Sequence, residues 1–496
     1  MINDRNGRRD FLRHLAVLAA SGGAAALVPQ LRMIGSALAQ TPSASSGYKA
    51  LVCVYLSGGN DAWNMLVPSD ARYPTYAASR SGVYNTTSNP GGLALDKTQL
   101  LSLTGATGSG SSNYGMHPSM PELRTLYNAQ KLAFVANIGT LVKPITKTDY
   151  ATTANRPPQL FSHSDQENLW HVGTAQDNTS GWGGSSASIL KSTFPNANTT
   201  LSPCISISGS NKFEVGPGTI PYQMSSGGLS NLSGVCNPSG CSGSSGQRDV
   251  ALNMMLADTY QSTLAGGYAQ VMQRGRDLFA FLNGGLAGPD GTLTTTFPTG
   301  NSLADQLKMV ARMIKLSRAQ NYATRQIFYV RFGGFDLHAG LMSAGNSNHA
   351  ALLGKVSQAL NAFWNALGDI GAQSEVTAFT MSEFARTLSS NGSGSDHGWG
   401  SLQMVMGGAV QGGKLYADGG NPAVTGFPDQ TINLVNGNNT NPVAFARGQF
   451  IPGIGVEQYA ATLANWMGVT DTSAQNAIFP NLVNFNPAFR KLGFLG

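Results

Sequence analysis

Charge is scarce in this chain. Only 11% of its 496 residues are Asp, Glu, Lys or Arg, and no basic stripe with interleaved aromatics occurs, which argues against a nucleic-acid surface. No run beyond the N-terminal region is apolar and long enough to span a bilayer, so the mature chain is expected to be soluble, with no stable membrane span. Cysteine is limited to Cys53, Cys204, Cys236 and Cys241. No histidine lies near the later three, which counts against a thiolate zinc site. There is no internal repeat. A Gly-x-Ser-x-Gly turn between a strand and a helix is also missing, which removes one common setting for a serine nucleophile.

The N-terminal region carries a three-part export pattern. Arg8-Arg9-Asp10-Phe11-Leu12 is a twin-arginine motif, an alanine-rich apolar stretch runs from Leu15 to Leu27, and Ala37-Leu38-Ala39 supplies a small-x-small cleavage site before Gln40. Residues 1–39 are therefore expected to be a twin-arginine signal peptide, with the twin-arginine translocase as export partner and a periplasmic or secreted mature protein. Five arginines and two aspartates lie in that segment, so half of the formal +6 belongs to it. Export permits disulfides. Cys236 and Cys241 bracket the turn sequence Asn-Pro-Ser-Gly and are the first choice for a bridge, with Cys204 paired to either as the alternative. Cys53 lies inside an apolar strand pattern and reads as a buried thiol.

Strand and helix patterns alternate along the mature chain, which predicts an α/β fold for residues 40–496 as one domain. Strands are expected at 49–56, 132–138, 326–332, 375–381 and around Met404–Gly408. Helices are expected at Met120–Gln130, 250–284, 302–319 and His349–Leu367, where apolar residues recur at helical spacing. A loop-rich excursion fills about 140–247, and its Gly/Ser-rich tract at 225–247 reads as a surface insertion.

The chemistry follows the strands. Ser57-Gly58-Gly59-Asn60-Asp61 comes after the first, Gly333-Gly334-Phe335-Asp336-Leu337-His338 after the strand at 326–332, and Ser382-Glu383-Phe384-Ala385-Arg386 after the strand at 375–381. A later loop holds Asp396-His397. Parallel α/β sheets bind ligands at the carboxyl ends of their strands, and Asp, Glu and His together suit a divalent metal. Ser162-His163-Ser164-Asp165 stands just before a helix, where it serves as an N-cap or as an anion and nucleophile site. Arg386 either holds an ester oxygen or forms an interior ion pair. His117 reads as a structural histidine.

Taken with the leader, the segments at 56–61, 117–118, 162–163, 333–338, 381–387 and 396–398 resemble a twin-arginine-exported bacterial family classed as a domain of unknown function. That family is grouped with the alkaline phosphatase and sulfatase superfamily. The resemblance implies an alkaline-phosphatase-like, largely parallel central sheet with helices on both faces. It also implies a metal cluster of Asp61, Asp336, His338, Glu383 and His397, with Asp396 as an alternative ligand, holding a divalent ion (Zn, Ca or Mg). Asp336 and His338 stand closer in sequence than the superfamily's Asp-x-x-x-His, and Phe384 occupies the place of a superfamily histidine. The nucleophile position falls near Ser162, His163 or Ser164, with Ser162 the candidate. The sulfatase Cys-x-Pro-x-Arg motif is missing. The implied activity is hydrolysis of phosphate, or sulfate, esters in a small-molecule or polymer substrate. The competing expectation is a non-catalytic extracellular binding or surface protein that retains the fold.

Overall fold

Alternation along the first strand divides the core in two. Ala50, Val52, Val54 and Leu56 enter one apolar cluster and Leu51, Cys53 and Tyr55 the other, as the two-residue period of a strand requires. The structure, a computed structural model, describes residues 47–495 apart from 174–178, 198–200, 230–233, 237–241, 322 and 425. Its central sheet contains β1 (Lys49–Leu56), β2 (Leu132–Gly139), β3 (Cys204–Ser206), β4 (Tyr222–Gln223), β5 (Arg325–Phe332), β6 (Val376–Met381), β7 (Ser401–Gly407), β8 (Leu415–Tyr416) and β9 (Ile454–Gly455). The strand order is β8-β2-β7-β6-β1-β5-β3-β4, with β9 also paired to β2. β7 runs antiparallel to both neighbours, and the other pairings are parallel.

Helices cover both faces. The helices that matter below are α1 (Pro121–Asn128), α2 (His163–Val172), α3 (Trp182–Thr193), α4 (Gly243–Ala257), α5 (Thr263–Ala287), α6 (Ser302–Ala319), α7 (His349–Asp369) and α8 (Val456–Met467). α1, α6 and α7 bury Leu123, Leu307, Val310, Val356 and Phe363 on the face of Val52. α3 and α8 bury Ile189, Leu190, Tyr459 and Leu463 on the face of Cys53. Starts are set locally: the side chains of Asn301 and Asn348 accept hydrogen bonds from the amides of Ala304 and Ala351, capping α6 and α7.

An α/β fold with a mostly parallel, helix-flanked sheet is thus what forms. Several details differ from expectation. The single helix over 250–284 is two helices, because Asp258 is extended and Ser262 caps a new start at α5. The end of the Gly/Ser tract is the first turn of α4, not loop. The excursion at 140–247 contributes α3 and the strands β3 and β4 at one end of the sheet, which are too short for alternation to show. Cys53 and Cys204 are buried free thiols, so the alternative bridge through Cys204 does not form. Cys241, the partner expected for Cys236, and the signal segment 1–39 lie outside the described residues. Among the described residues, no helix is long and apolar enough to cross a membrane.

Candidate functional site

β6, β1 and β5 lie side by side in parallel, with Leu56 level with Phe332 and Tyr55 level with Met381. Their carboxyl ends therefore release three loops at one edge. Gly58 makes the crossing possible. Its φ is +119°, and a Cβ there would stand 2.3 Å from the amide nitrogen of Asp336, so only glycine fits. The Gly58 amide donates to Glu383 Oε1 at 2.7 Å, which ties the first loop to the third.

Three imidazoles surround Asp336. His338 Nε2 lies 3.2 Å and His397 Nε2 3.3 Å from Asp336 Oδ1, and His163 Nε2 is 3.5 Å from Oδ2. His338 Nε2 and His397 Nε2 are 3.0 Å apart. Ligand atoms of His163, Asp336 and His397 all fall within 4.8 Å of one another, and His338 joins through Asp336 Oδ1, the oxygen that His397 also approaches. Each ring is held by its other nitrogen. His163 Nδ1 meets Glu383 Oε1 at 2.8 Å, His338 Nδ1 meets Asp396 Oδ1 at 2.9 Å, and His397 Nδ1 meets the Phe161 carbonyl at 2.7 Å. A carbonyl or ionised carboxylate only accepts, so Nδ1 carries the proton in each neutral ring. Three Nε2 lone pairs and a carboxylate then face one another. Only protons or a cation can make that arrangement favourable, and an imidazole whose far nitrogen donates to a carboxylate or carbonyl is the usual posture of a metal ligand.

The surroundings bias the charges. Glu383 and Arg386 are buried, whereas Asp336 and His338 are each 45% exposed. Burial works against the Asp336 charge, but the Arg386 hydrogen bond and charge outweigh it and hold that carboxyl below its usual range. Burial likewise opposes ionisation of Asp396, yet hydrogen bonds from Asn391, His338 and Arg447 bring it down to about 2. The Glu383 hydrogen bond raises His163, while burial lowers His397. The Phe384 ring stacks on His397 at 4.3 Å and sits 4.9 Å from the His163 ring. Phe384 thus packs against both imidazoles, whose own centroids lie 4.6 Å apart.

The expected residues are distributed as follows. Asp336, His338 and His397 come together, and His163, expected near a nucleophile, joins them. Glu383 and Asp396 stand behind, each accepting from a histidine. Arg386 does not face an open ligand position. It is buried and donates to Asp336 Oδ1 at 2.7 Å, to the Ser395 carbonyl at 2.6 Å and to the Gly58 carbonyl at 3.4 Å. Asp61 is not in the close group of His163, Asp336 and His397 and is instead buried and ion-paired with buried Arg80. Ser162 caps the chain entry to α2, but its hydroxyl bonds Asp165 Oδ2 at 2.5 Å rather than a helix amide. His117 is buried against His349, and burial takes both down to about 3. Two contributors were not foreseen: the Phe161 carbonyl, a backbone group with no sequence mark, and Arg447, which pairs with Asp396 from a distant loop.

Fold and site together define an α/β protein with a histidine–carboxylate centre at the carboxyl edge of a mostly parallel sheet. Residues 48–425 match the family described as Protein of unknown function (DUF1501), and the chain belongs to that family. A comparison with curated proteins finds no match. Among solved structures, the crystal structure of Ps i-CgsB in complex with k-i-k-neocarrahexaose is similar at 11% identity and a TM-score of 0.33, covering 89% of this chain and 77% of that one. The crystal structure of Ps i-CgsB alone gives 11% and 0.34 over the same shares. Superpositions this loose carry no argument about fold or activity.

Proposed function

We propose that the chain is an exported, divalent-metal-dependent hydrolase of phosphate or sulfate esters. The observation that carries the reading is the acceptor-only constellation of His163, His338, His397 and Asp336, with every Nδ1 held from behind. Nitrogen donors around one carboxylate suit zinc better than calcium or magnesium, which take oxygen. A divalent ion held there would polarise an ester oxygen and lower the pKa of a bound hydroxyl or water. Ser162 adjoins His163 in the chain, and Asp165 accepts its hydroxyl hydrogen bond, which leaves the oxygen lone pairs for attack. Arg386 sustains the charge of Asp336 from beneath. The order of acidic and histidine segments after successive strands supports kinship with the alkaline phosphatase and sulfatase superfamily, and the leader supports twin-arginine export.

The non-catalytic binding protein is the competing reading. It is favoured by Arg386, whose fork is spent on Asp336 and backbone carbonyls. The test is metal analysis of purified protein together with turnover of chromogenic phosphate and sulfate mono- and diesters. A stoichiometric ion lost in Asp336→Ala and His397→Ala, with turnover abolished in both, is the expected result. A folded, metal-loaded protein that hydrolyses none of these esters ends the hydrolase reading and leaves the binding role. Full turnover by Ser162→Ala removes Ser162 as nucleophile.

A further inference from the structure

One helix changes partner halfway along. On α5, Leu264, Tyr268, Val271, Gly275, Leu278, Leu282 and Gly285 recur at alternating four- and three-residue steps, a single coiled-coil stripe. Its C-terminal half is covered: Leu278 and Leu282 are buried, and a Cβ on Gly285 would stand 2.8 Å from Leu316 of α6. Its N-terminal half is bare, with Leu264, Tyr268 and Val271 exposed at 87%, 68% and 69%. Nothing lies within 4 Å of a Cβ placed on Gly275. The bare half is held firmly. Arg276 ties α5 to α4 through Asp249 and Asn253, each at 2.6 Å, and Ala269 is buried. Val250, Met254 and Met255 on the neighbouring α4 are exposed as well. Contiguous exposed apolar surface of this kind marks an interaction site.

We infer that the bare half of α5 is a self-association surface, on which a second copy of this chain lays the same helix antiparallel. Three features select that occupant. The stripe is an unbroken continuation of one that already receives a helix within the chain, and its spacing is that of a helix seam. Antiparallel pairing of alternate seam positions sets Leu264 against Gly275 and Tyr268 against Val271 of the other copy, large against small at both ends, so the surface is self-complementary under a two-fold axis. Charge agrees over most of the seam, because Thr259–Gln273 contains no Asp, Glu, Lys or Arg and Arg274 and Arg276 stand only at its end. A membrane-lying helix would carry Lys or Arg all along its apolar stripe, whereas here Arg274 and Arg276 come only at the end of the bare half, beside Gly275.

Sedimentation velocity of the purified protein over a concentration series tests the inference. The expected result is a concentration-dependent dimer that Tyr268→Asp weakens by about thirtyfold or more, the effect of losing one central aromatic anchor, with the unfolding temperature unchanged. Leu264→Cys combined with Gly275→Cys should give a disulfide-linked dimer under mild oxidation. A wild-type protein that stays monomeric, or a dimer that Tyr268→Asp leaves intact, overturns it. So does a monomer that floats with phosphatidylethanolamine–phosphatidylglycerol vesicles and loses that binding on Tyr268→Asp. These readouts do not depend on the metal centre.

Discussion

His338 Nε2 faces His397 Nε2 across 3.0 Å while Asp396 and the Phe161 carbonyl hold the opposite nitrogens. Two neutral rings in that posture repel, so an ion between them should stabilise the fold by mass action. Chelation is expected to lower the unfolding midpoint by several degrees, and added zinc to restore it. An identical midpoint with and without chelator, in protein shown to contain metal beforehand, contradicts this.

Glu383→Gln should weaken ion binding by roughly 10–100-fold, the usual effect of losing a carboxylate behind a ligating histidine. The amide can turn its N–H toward His163 Nδ1, which shifts the ring proton to Nε2 and blocks that lone pair. Competition against a chromogenic chelator measures the change. Unaltered affinity would mean that His163 does not take part.

Asp61 and Arg80 form an ion pair with both side chains buried. Arg80→Met strands the carboxylate and should cost about 3–5 kcal/mol in denaturant unfolding. Asp61→Asn should leave the metal content of the folded protein unchanged. Loss of the ion in Asp61→Asn, with the fold intact, would return Asp61 to the ligand set.

Glu214 is fully buried, and burial raises its carboxyl from 4.5 to about 8. A raised acid is neutral in the folded chain while the unfolded chain ionises. Its contribution is therefore complete below about pH 4.5 and is lost as pH climbs through about 8. Glu214→Gln cannot ionise, so its stability relative to the parent should improve by on the order of a few kcal/mol from pH 5 to pH 8. Parallel pH–stability curves would show that Glu214 ionises normally.

Much of the fold was legible because its long elements repeat. β1, β5 and β6 are apolar runs of strand length, and the caps and stripes of α6 and α7 mark those helices almost to the residue. The short strands β3 and β4 were not, since two or three residues carry no period. The break between α4 and α5 also escaped, because apolar residues continue through it and only Asp258 and Ser262 mark the turn. At the site, Asp336, His338 and His397 could be nominated from their place after strands, and so could Glu383 and Asp396. Their division into groups that face a centre and groups that hold histidines in place could not.

The sequence alone determined which side chains reach the carboxyl edge of the sheet, because strand ends and the glycines after them are local properties of the chain. Tertiary structure decided what those side chains do there. Arg80 takes Asp61 into a buried ion pair, Arg386 is spent beneath Asp336, and the Phe161 carbonyl sets the proton on His397. Each of these choices is made by a partner 19 to 236 positions away in the chain. Charge and hydrogen bonding act over a few ångströms of space, and only folding brings such partners within that range.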